Sequence, residues 1–441
     1  MKKITMYALF AAVLTFAACG DDTTTVDDGV QDSVKTVSAT TTDISGYTRG
    51  TLLAGKTYNM VGTVIIPMNE TLRVEPGVTV IVGNDGSGSG FEFTVNGTLA
   101  ALGTKAQPIT FTVPEADRTI ENVFGGLWCG FQGTAKAKAI VLKHCKVSYL
   151  GGQGGAGTVR AGKSTYGIAS LDPNTEIIVE DCHFTGSVDD MFRPNGGKIN
   201  IVRNVFEFAG ETGGDGLNIK GGVVGNIAYN LFIGGATNAY KISNEGSTTI
   251  QTNVNVYNNI ALNGGFRRAG NTRGANINYE VGARGYAFNN IVANCKRGMR
   301  ALADADLPNI KFDYNLYYAA YAEMVAEKIP TDAVVPTETV LGTNNIIGST
   351  DENNPMWQNV DLKAFTMVDF LAGSNQNRAI NEKGTKDFRL KAGSPCIGKG
   401  TKQWAPVQVQ WMVSGDLAPS IMQPSTDMGA YPLDNTGNQY F

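Results

Sequence analysis

The chain has 441 residues, of which 17% are charged and 9% aromatic, and its formal net charge is −4. This composition excludes a disordered chain and a coiled coil, and the chain lacks the basic stripe that nucleic-acid binding requires. Only two histidines are present, which argues against a histidine-based zinc site and against a Ser-His-Asp enzyme.

The N-terminus has the pattern of an export signal. Lys2 and Lys3 precede an apolar run at 4–16, and Phe16-Ala17-Ala18-Cys19 follows. This tetrapeptide resembles a bacterial lipobox, which implies that Cys19 is acylated after removal of a signal peptide at 1–18. An ordinary secretory leader, cleaved at a small residue, is the alternative.

The residues after Cys19 predict a tether. Asp21 and Asp22 follow closely, and an acidic pair there resembles a surface-export signal of some Gram-negative lipoproteins. Residues 19–46 are rich in Thr, Asp, Ser and Val, as in a flexible segment. No later apolar run is long enough to span a bilayer. We therefore predict an outer-membrane location on the cell surface, with the membrane contacted only through lipid.

The first folded segment shows short strands of alternating polarity. Residues 71–82 alternate around a Glu-Pro-Gly turn, residues 91–99 contain Asn-Gly-Thr-Leu, and residues 126–131 contain Trp-Cys-Gly. Over about residues 70–131 this series resembles the N-terminal coils of secreted right-handed parallel β-helix repeat proteins, which share the pectate-lyase-like (pectin lyase) superfold. The resemblance implies a fold and no particular reaction.

One pattern then recurs seven times, with an Asn or Cys before an apolar residue. The recurring residues are Cys145, Cys182, Asn204, Asn230, Asn259, Asn290 and Asn315. Units of 20–50 residues with one strand motif each are typical of a solenoid, whose coils share one core. We expect each Asn to bond the turn backbone and the Asn one coil away, with Cys filling the same position. The sequence predicts an all-β protein, a single right-handed parallel β-helix over 47–318.

The C-terminal part, 319–441, predicts final coils and a cap. The sequences at 387–390, 393–400 and 427–431 resemble the closing segment of many β-helix repeat proteins. We expect this segment to cover the last coil, whose strand edges are otherwise open. Asp387 and Asp427 are therefore assigned structural roles.

Charged residues repeat at matching offsets from the recurring Asn or Cys. Aligning the coils at that residue places Arg193, Asp215 and Lys241 at one offset. Because neighbouring coils lie about 4.8 Å apart, we expect a charged cluster on one face. It contains the carboxylates Asp189, Asp190, Glu211 and Asp215 beside the cations Arg193, Lys220 and Lys241.

Three interpretations of this cluster stay open. Polysaccharide lyases on the resembled superfold hold Ca²⁺ with acidic side chains and remove a C5 proton with Lys or Arg. That resemblance implies a Ca²⁺ site at Asp189, Asp190, Glu211 and Asp215, with Lys241, Lys220 or Arg193 as the base. Glycoside hydrolysis would instead use Asp189 or Asp190 with Asp215. A structural role without catalysis is the third interpretation, either as a ladder of salt bridges or as a site for a metal that serves only stability.

A second group of residues is cationic and aromatic. It comprises Arg267, Arg268, Arg273, Arg284, Arg300 and Tyr279. Arg beside an aromatic ring can clamp carboxylates and stack on sugars. Pairing of these Arg with Glu280 and with nearby backbone is the alternative.

These observations favour a monomeric surface lipoprotein that binds an acidic polysaccharide, and they leave open whether it also cleaves this polysaccharide by β-elimination. Fold alone does not give function, so the sequence leaves open whether the protein is an enzyme. The competing hypothesis is a non-catalytic adhesin or scaffold that presents loops from the β-helix.

Overall fold

The computed structural model describes residues 34–246, 249–268, 274–325, 340–348, 352–371 and 378–440. The predicted signal peptide and Cys19 lie outside these residues. Thirty strands form one continuous sheet, with parallel pairing between strands three apart in the sequence. The predicted all-β, β-helix-like solenoid is confirmed. Within the described ranges, no helix combines the length and apolar character needed to cross a bilayer.

Around the solenoid this continuous sheet is divided into three parallel faces, which we call the first, second and third sheets. The first coil is built from β1 (Lys35–Thr36), β2 (Asp43–Leu52) and β3 (Thr57–Ile66), so strands begin before the predicted boundary at residue 47. The first sheet continues with β4 (Thr71–Val74), β7 (Thr98–Leu102), β10 (Ala139–Lys143), β13 (Glu176–Glu180), β16 (Gly197–Val202), β19 (Val223–Ala228), β22 (Asn253–Tyr257), β25 (Gly285–Phe288) and β28 (Ile310–Asp313).

The second sheet contains β5 (Thr79–Val82), β8 (Ile109–Thr112), β11 (Cys145–Leu150), β14 (His183–Ser187), β17 (Val205–Ala209), β20 (Leu231–Ile233), β23 (Ile260–Leu262), β26 (Ile291–Ala293), β29 (Leu316–Tyr318) and β30 (Ile346–Ile347). The third contains β6 (Phe93–Val95), β9 (Phe131–Gly133), β12 (Ile168–Ser170), β15 (Phe192–Pro194), β18 (Leu217–Ile219), β21 (Tyr240–Ser243), β24 (Ala275–Glu280) and β27 (Arg297–Ala301).

The remaining elements are short. Strands β31 (Trp357–Asn359) and β32 (Asp387–Leu390) pair antiparallel, apart from the solenoid sheet. The helices are α1 (Ala322–Val325), α2 (Met367–Leu371) and α3 (Arg378–Asn381), and single 3₁₀ turns lie at Glu115–Asp117, Leu307–Asn309 and Gly415–Leu417.

The core runs along the axis of the solenoid, where each strand points its apolar side chains inward. Phe184 and Phe206 stack one coil apart with ring centroids 5.6 Å apart, and Phe192 meets Phe206 edge-to-face at 5.3 Å. Burying each such ring stabilises the fold by about 1.5–3 kcal/mol. Like residues on successive coils therefore build one continuous core.

The predicted Asn ladder is present at the corner between the first and second sheets. The Asn230 side-chain oxygen accepts the backbone N–H of Asn204, and its amide nitrogen donates to the Ile201 carbonyl, both at 2.9 Å. Equivalent bonds recur at Asn259, Asn290, Asn315 and Asn345. The Cys182 sulfur takes the same position and accepts the Cys145 N–H at 3.3 Å. The ladder prediction is confirmed.

The C-terminal segment does not follow the predicted path over the last coil. Residues 404–440 lie along the flank of the solenoid, where the N–H groups of Met412 and Val413 donate to the Glu176 carboxylate at 2.7 and 2.9 Å. The outer face of the first sheet explains this path, because buried Val141 and Ile178 pack there against Val413. A sheet that is apolar on both faces must be covered on both.

The two aspartates assigned structural roles make the expected contacts. Asp427 accepts the N–H groups of Gly398 and Leu433, each at 2.9 Å. Asp387 pairs with the Arg389 guanidinium at 2.5 Å. Both therefore hold local turns and strands of the C-terminal segment.

Candidate functional site

The third sheet carries a column of polar side chains on its outer surface. Side chains along a strand alternate between its two faces, so every second residue points outward. The strand register places Asn218 beside Lys241, Lys241 beside Asn278, and Asn278 beside Arg300. Phe192 pairs with Leu217, which places Arg193 beside Asn218. We call this column, with the adjoining acids, the polar face: Asp190, Arg193, Asp215, Asn218, Lys241, Asn278, Glu280 and Arg300.

In one coil, the strand register of the polar face differs from the predicted column of Arg193, Asp215 and Lys241. Leu217 follows Asn204 by 13 residues, whereas Tyr240 follows Asn230 by 10. The longer loop shifts Asp215 out of the position between Arg193 and Lys241. Asp215 lies instead one coil from Asp190, and its N–H donates to the Asp190 carboxylate at 2.6 Å.

Asp190 is the carboxyl of the polar face whose pKa departs most from its ordinary value. Besides Asp215, its oxygens accept Arg193 at 3.2 Å and the Asn218 amide at 2.7 Å. Burial is the main cause that raises its pKa to about 7, and the charges of Asp215 and Asp189 raise it further. A carboxyl with this pKa can hold or release a proton near neutral pH.

Asp215 and Lys241 form the centre of the polar face. One Asp215 oxygen accepts the hydroxyl of Thr237 and the amide of Asn238, the latter at 2.7 Å. The Lys241 ammonium lies 2.9 Å from Glu280 and 4.0 Å from the other Asp215 oxygen. The cation is thus positioned by two carboxylates, and its side chain stays 12% exposed.

Arg193 forms the other cationic position. Its side chain is 28% exposed, and its guanidinium lies 4.9 Å from the centre of the Tyr166 ring. Arg160 also lies over that ring, at 4.5 Å. Ion pairing to Asp190 and contact with the ring therefore fix the Arg193 guanidinium, and the side chain as a whole stays partly exposed.

Lys220 lies at the border of the polar face. Its ammonium pairs with Glu245, whose side chain is 61% exposed. It follows β18, one position beyond Ile219, so it lies beside Ser243 rather than in the column of Lys241. The structure therefore places Arg193, Lys241, Asp190 and Asp215 close together. Lys220 lies at the border of this group.

The acids proposed as calcium ligands differ in their surroundings. Asp190 is buried, Asp189 is partly exposed and Glu211 is exposed. In the part of the chain that the structure describes, no three His, Cys, Asp or Glu side chains are arranged to hold one metal ion. Calcium binding by Asp189, Asp190, Glu211 and Asp215 stays a prediction.

Arg267 has a structural environment. Its guanidinium donates to the carbonyls of Ala209 and Gly234 at 2.8 and 2.6 Å, and to the Asn381 side chain at 2.8 Å. Burial lowers its pKa to about 9. These bonds join successive loops to the segment around α3, which sequence spacing did not indicate.

The other members of the predicted cationic patch are dispersed. Arg268 donates its N–H to the Ala236 carbonyl at 3.3 Å, and Arg284 lies 3.9 Å from Asp306. Arg273 lies outside the described residues. Arg300 belongs to the polar face, where its Nε donates to Asn278 at 2.6 Å.

Tyr279 requires a correction. Its side chain is fully buried in the core, and its hydroxyl donates to the Val254 carbonyl at 2.7 Å. Strand alternation in β24 turns Asn278 and Glu280 outward and Tyr279 inward. It is therefore a core residue and does not stack on a ligand.

Three polar-face residues were missing from the predicted site. Asn218, Asn278 and Glu280 are buried outward residues, and the Asn218 side-chain oxygen has no hydrogen-bond partner within the described ranges. The sequence signal that indicates these residues is the alternation of polar residues with Leu, Ile and Tyr in β18 and β24.

The comparisons with known proteins found no match for the chain. No protein-family model matches the chain, and neither the curated proteins nor the solved structures searched contain a match.

Proposed function

We propose that the protein binds an acidic polysaccharide across the polar face, with Arg193 and Lys241 contacting its carboxylates. The observation that carries the proposal is the placement of two partly exposed cations in one outward column. They lie two coils apart, a separation of about 9–10 Å at the usual strand spacing. That separation is comparable to a disaccharide repeat, so one chain could meet both cations.

The neighbouring groups hold the two cations in place for a polar, anionic ligand. Arg193 and Lys241 are each held by a carboxylate, which reduces the ordering entropy that binding would otherwise cost. Arg in particular can form bidentate bonds to a carboxylate.

Cleavage is the second candidate function, favoured by the environment of Asp190. Its pKa of about 7 suits a proton carrier, and Asp215 is a second carboxylate one coil away. Lys241, engaged by two carboxylates, suits stabilisation of developing negative charge. β-Elimination, with Lys241, Lys220 or Arg193 as base, and hydrolysis both stay within this proposal.

The cellular setting is proposed from the sequence. Acylation of Cys19 would anchor the chain in an outer membrane, facing outward, where extracellular glycans are accessible. The resemblance of the N-terminal coils implies right-handed winding and a pectate-lyase-like superfold. For the Cys19→Ser variant we expect loss of membrane fractionation. Unchanged partition into the detergent phase would refute the anchor.

The binding test compares uronate-containing polysaccharides with neutral ones, using the full chain in detergent. Removing a charged hydrogen bond costs about 1.5–3 kcal/mol, so Arg193→Gln and Lys241→Met should each weaken binding by about tenfold or more. Lys241→Arg should retain much of the affinity. Exposed Lys138 lies in the connection just before β10 and is not a member of the polar face, so Lys138→Gln is the matched control.

Two readouts separate the candidate functions. New reducing ends or unsaturated products, with and without Ca²⁺, would show cleavage, and Asp190→Asn should abolish it. Binding without product would leave the glycan-binding function alone. If no acidic glycan binds, or if Lys138→Gln matches Arg193→Gln in effect, the polar-face proposal fails. The adhesin or scaffold alternative then stands.

A further inference from the structure

A loop lies over the outer surface of the third sheet beside the polar face. Residues 151–166, which we call the cover, connect β11 to β12. The Gly90 N–H, just before β6, donates to the Gln153 carbonyl at 2.8 Å. The Gln132 amide on β9 donates to the Tyr166 carbonyl at 2.5 Å. The cover is therefore bonded to the outer side of two successive coils.

The strand register joins the covered surface to the polar face. Thr94 lies beside Gln132, which lies beside Ala169. Ala169 in turn lies beside Arg193, a cation of the polar face. Thr94 and Gln132 are buried, whereas Arg193 and Lys241 are partly exposed. The two surfaces thus form one outward column, which the cover closes over its N-terminal coils.

One carboxyl is buried beneath the cover. The Glu92 side chain has one oxygen that accepts the Thr94 hydroxyl and the N–H of Val159 in the cover, the latter at 2.9 Å. Its other oxygen is buried and has no hydrogen-bond partner within the described ranges, and the same holds for the Gln132 oxygen. An ionised carboxylate that is buried and only half paired is unfavourable, so this geometry favours the neutral acid.

The titratable group nearest to Glu92 does not supply a charge. The Cys129 thiol donates to the Gly90 and Gly152 carbonyls at 3.3 and 3.5 Å, the second of these being in the cover. Burial is the main cause that raises the pKa of this thiol to about 12. Cys129 is therefore uncharged at neutral pH and does not offset a negative charge on Glu92.

The charged residues of the cover have other surroundings. Lys163 is exposed, and the Arg160 guanidinium donates to the Ser164 carbonyl at 3.1 Å. Among the residues that the structure describes, Glu92 has no ion-pair partner, and its burial raises its pKa to about 7. Ionisation of Glu92 therefore opposes closure of the cover.

We propose that the cover is closed while Glu92 is protonated and opens when Glu92 ionises, which exposes the N-terminal end of the outward column. The ordinary pKa of the acid is 4.5, so its contribution to closure is complete below about pH 4.5 and is lost as pH rises to about 7. Opening does not depend on what the polar face binds. The longer binding surface that results rests on the function proposed above.

The test is hydrogen–deuterium exchange of the full chain in detergent at pH 6 and pH 8, without glycan. Protection of the amides of the cover, corrected for the intrinsic dependence of exchange on pH, should fall by about tenfold. This is the factor expected when the pKa of one acid is 4.5 in the open form and about 7 in the closed form. Glu92→Gln keeps the shape without the charge, so its cover should be equally protected at both pH values.

Controls separate opening of the cover from other effects. Glu176→Gln removes a buried acid from the first sheet and should leave the tenfold change intact. Strand β22 reports on the stack as a whole and should keep its protection in every variant. Constant protection of the cover in the parent chain would overturn the proposal, as would a change that persists in Glu92→Gln. An equal loss in β22 would show unfolding of the stack and would overturn it too.

Discussion

The Asn ladder and the polar face are both polar columns built by the same stack of coils. In the ladder, the coils from Asn204 to Asn315 all supply Asn, and each Asn oxygen meets a backbone N–H of the adjacent coil. On the polar face, successive coils supply Arg, Asn, Lys, Asn and Arg.

The two columns differ in how completely their groups are paired. The ladder amides are satisfied, whereas the side-chain oxygen of Asn218 on the polar face lacks a partner within the described part of the chain. A buried unpaired acceptor costs about 1–3 kcal/mol. A column of identical residues therefore stabilises the stack, while a column of differing residues retains an unpaired acceptor and a perturbed carboxyl.

The largest expected effect is loss of one ladder residue. Asn259→Leu leaves the Asn230 N–H and the Ile227 carbonyl without their side-chain partner. At about 1–3 kcal/mol for each buried group, unfolding free energy should fall by roughly 2–6 kcal/mol. Urea denaturation measures this change. Exposed Asn59→Leu is the control, and equal stability of both variants would mean that the ladder bonds do not stabilise the coils.

The second expected effect is a pH dependence of the unfolding free energy that comes from Asp190 on the polar face. The raised pKa of Asp190 means that the folded chain keeps a proton that the unfolded chain releases. This contribution to stability is therefore greatest below the ordinary pKa of Asp and is lost as pH rises toward 7. The shift corresponds to at most about 4 kcal/mol. Asp190→Asn should flatten the dependence of unfolding free energy on pH between about 4 and 7.

Glu92 offers an independent comparison for that experiment. Burial raises its pKa to about 7 as well, and it accepts bonds from Thr94 and Val159. Glu92→Gln should remove a similar part of the slope, and the double variant should remove both. A slope unchanged by Asp190→Asn would show that this carboxyl is ionised in the folded chain.

The smallest expected effect concerns a charged pair outside both columns. Arg284 lies 3.9 Å from Asp306, and their side chains are 39% and 26% exposed. Solvent screens such a pair, so Arg284→Gln should change unfolding free energy by less than about 1 kcal/mol. A loss as large as that of Asn259→Leu would show that the ladder is not distinct from ordinary ion pairs. The measurement is again urea denaturation.

The sequence by itself determined the repeating part of this protein. Each ladder Asn from Asn230 to Asn315 bonds to the coil before it and to the coil after it, so one rule repeated at 22–31 residues from Cys182 to Asn315 is enough to predict the stack. The charged residues of one face could also be found, because Asp190, Arg193, Asp215 and Lys241 recur on consecutive coils.

Only the tertiary structure determined the features that depend on loop length and on which face of a strand a side chain occupies. A longer loop before β18 moved Asp215 beside Asp190, and strand alternation turned Tyr279 into the core. The path of the C-terminal segment depended on an apolar outer face of the first sheet, visible only once the strands are stacked. Ladder bonds join only adjacent coils, whereas register and the covering of a face depend on more distant parts of the chain, which the order of residues does not bring together until the coils stack.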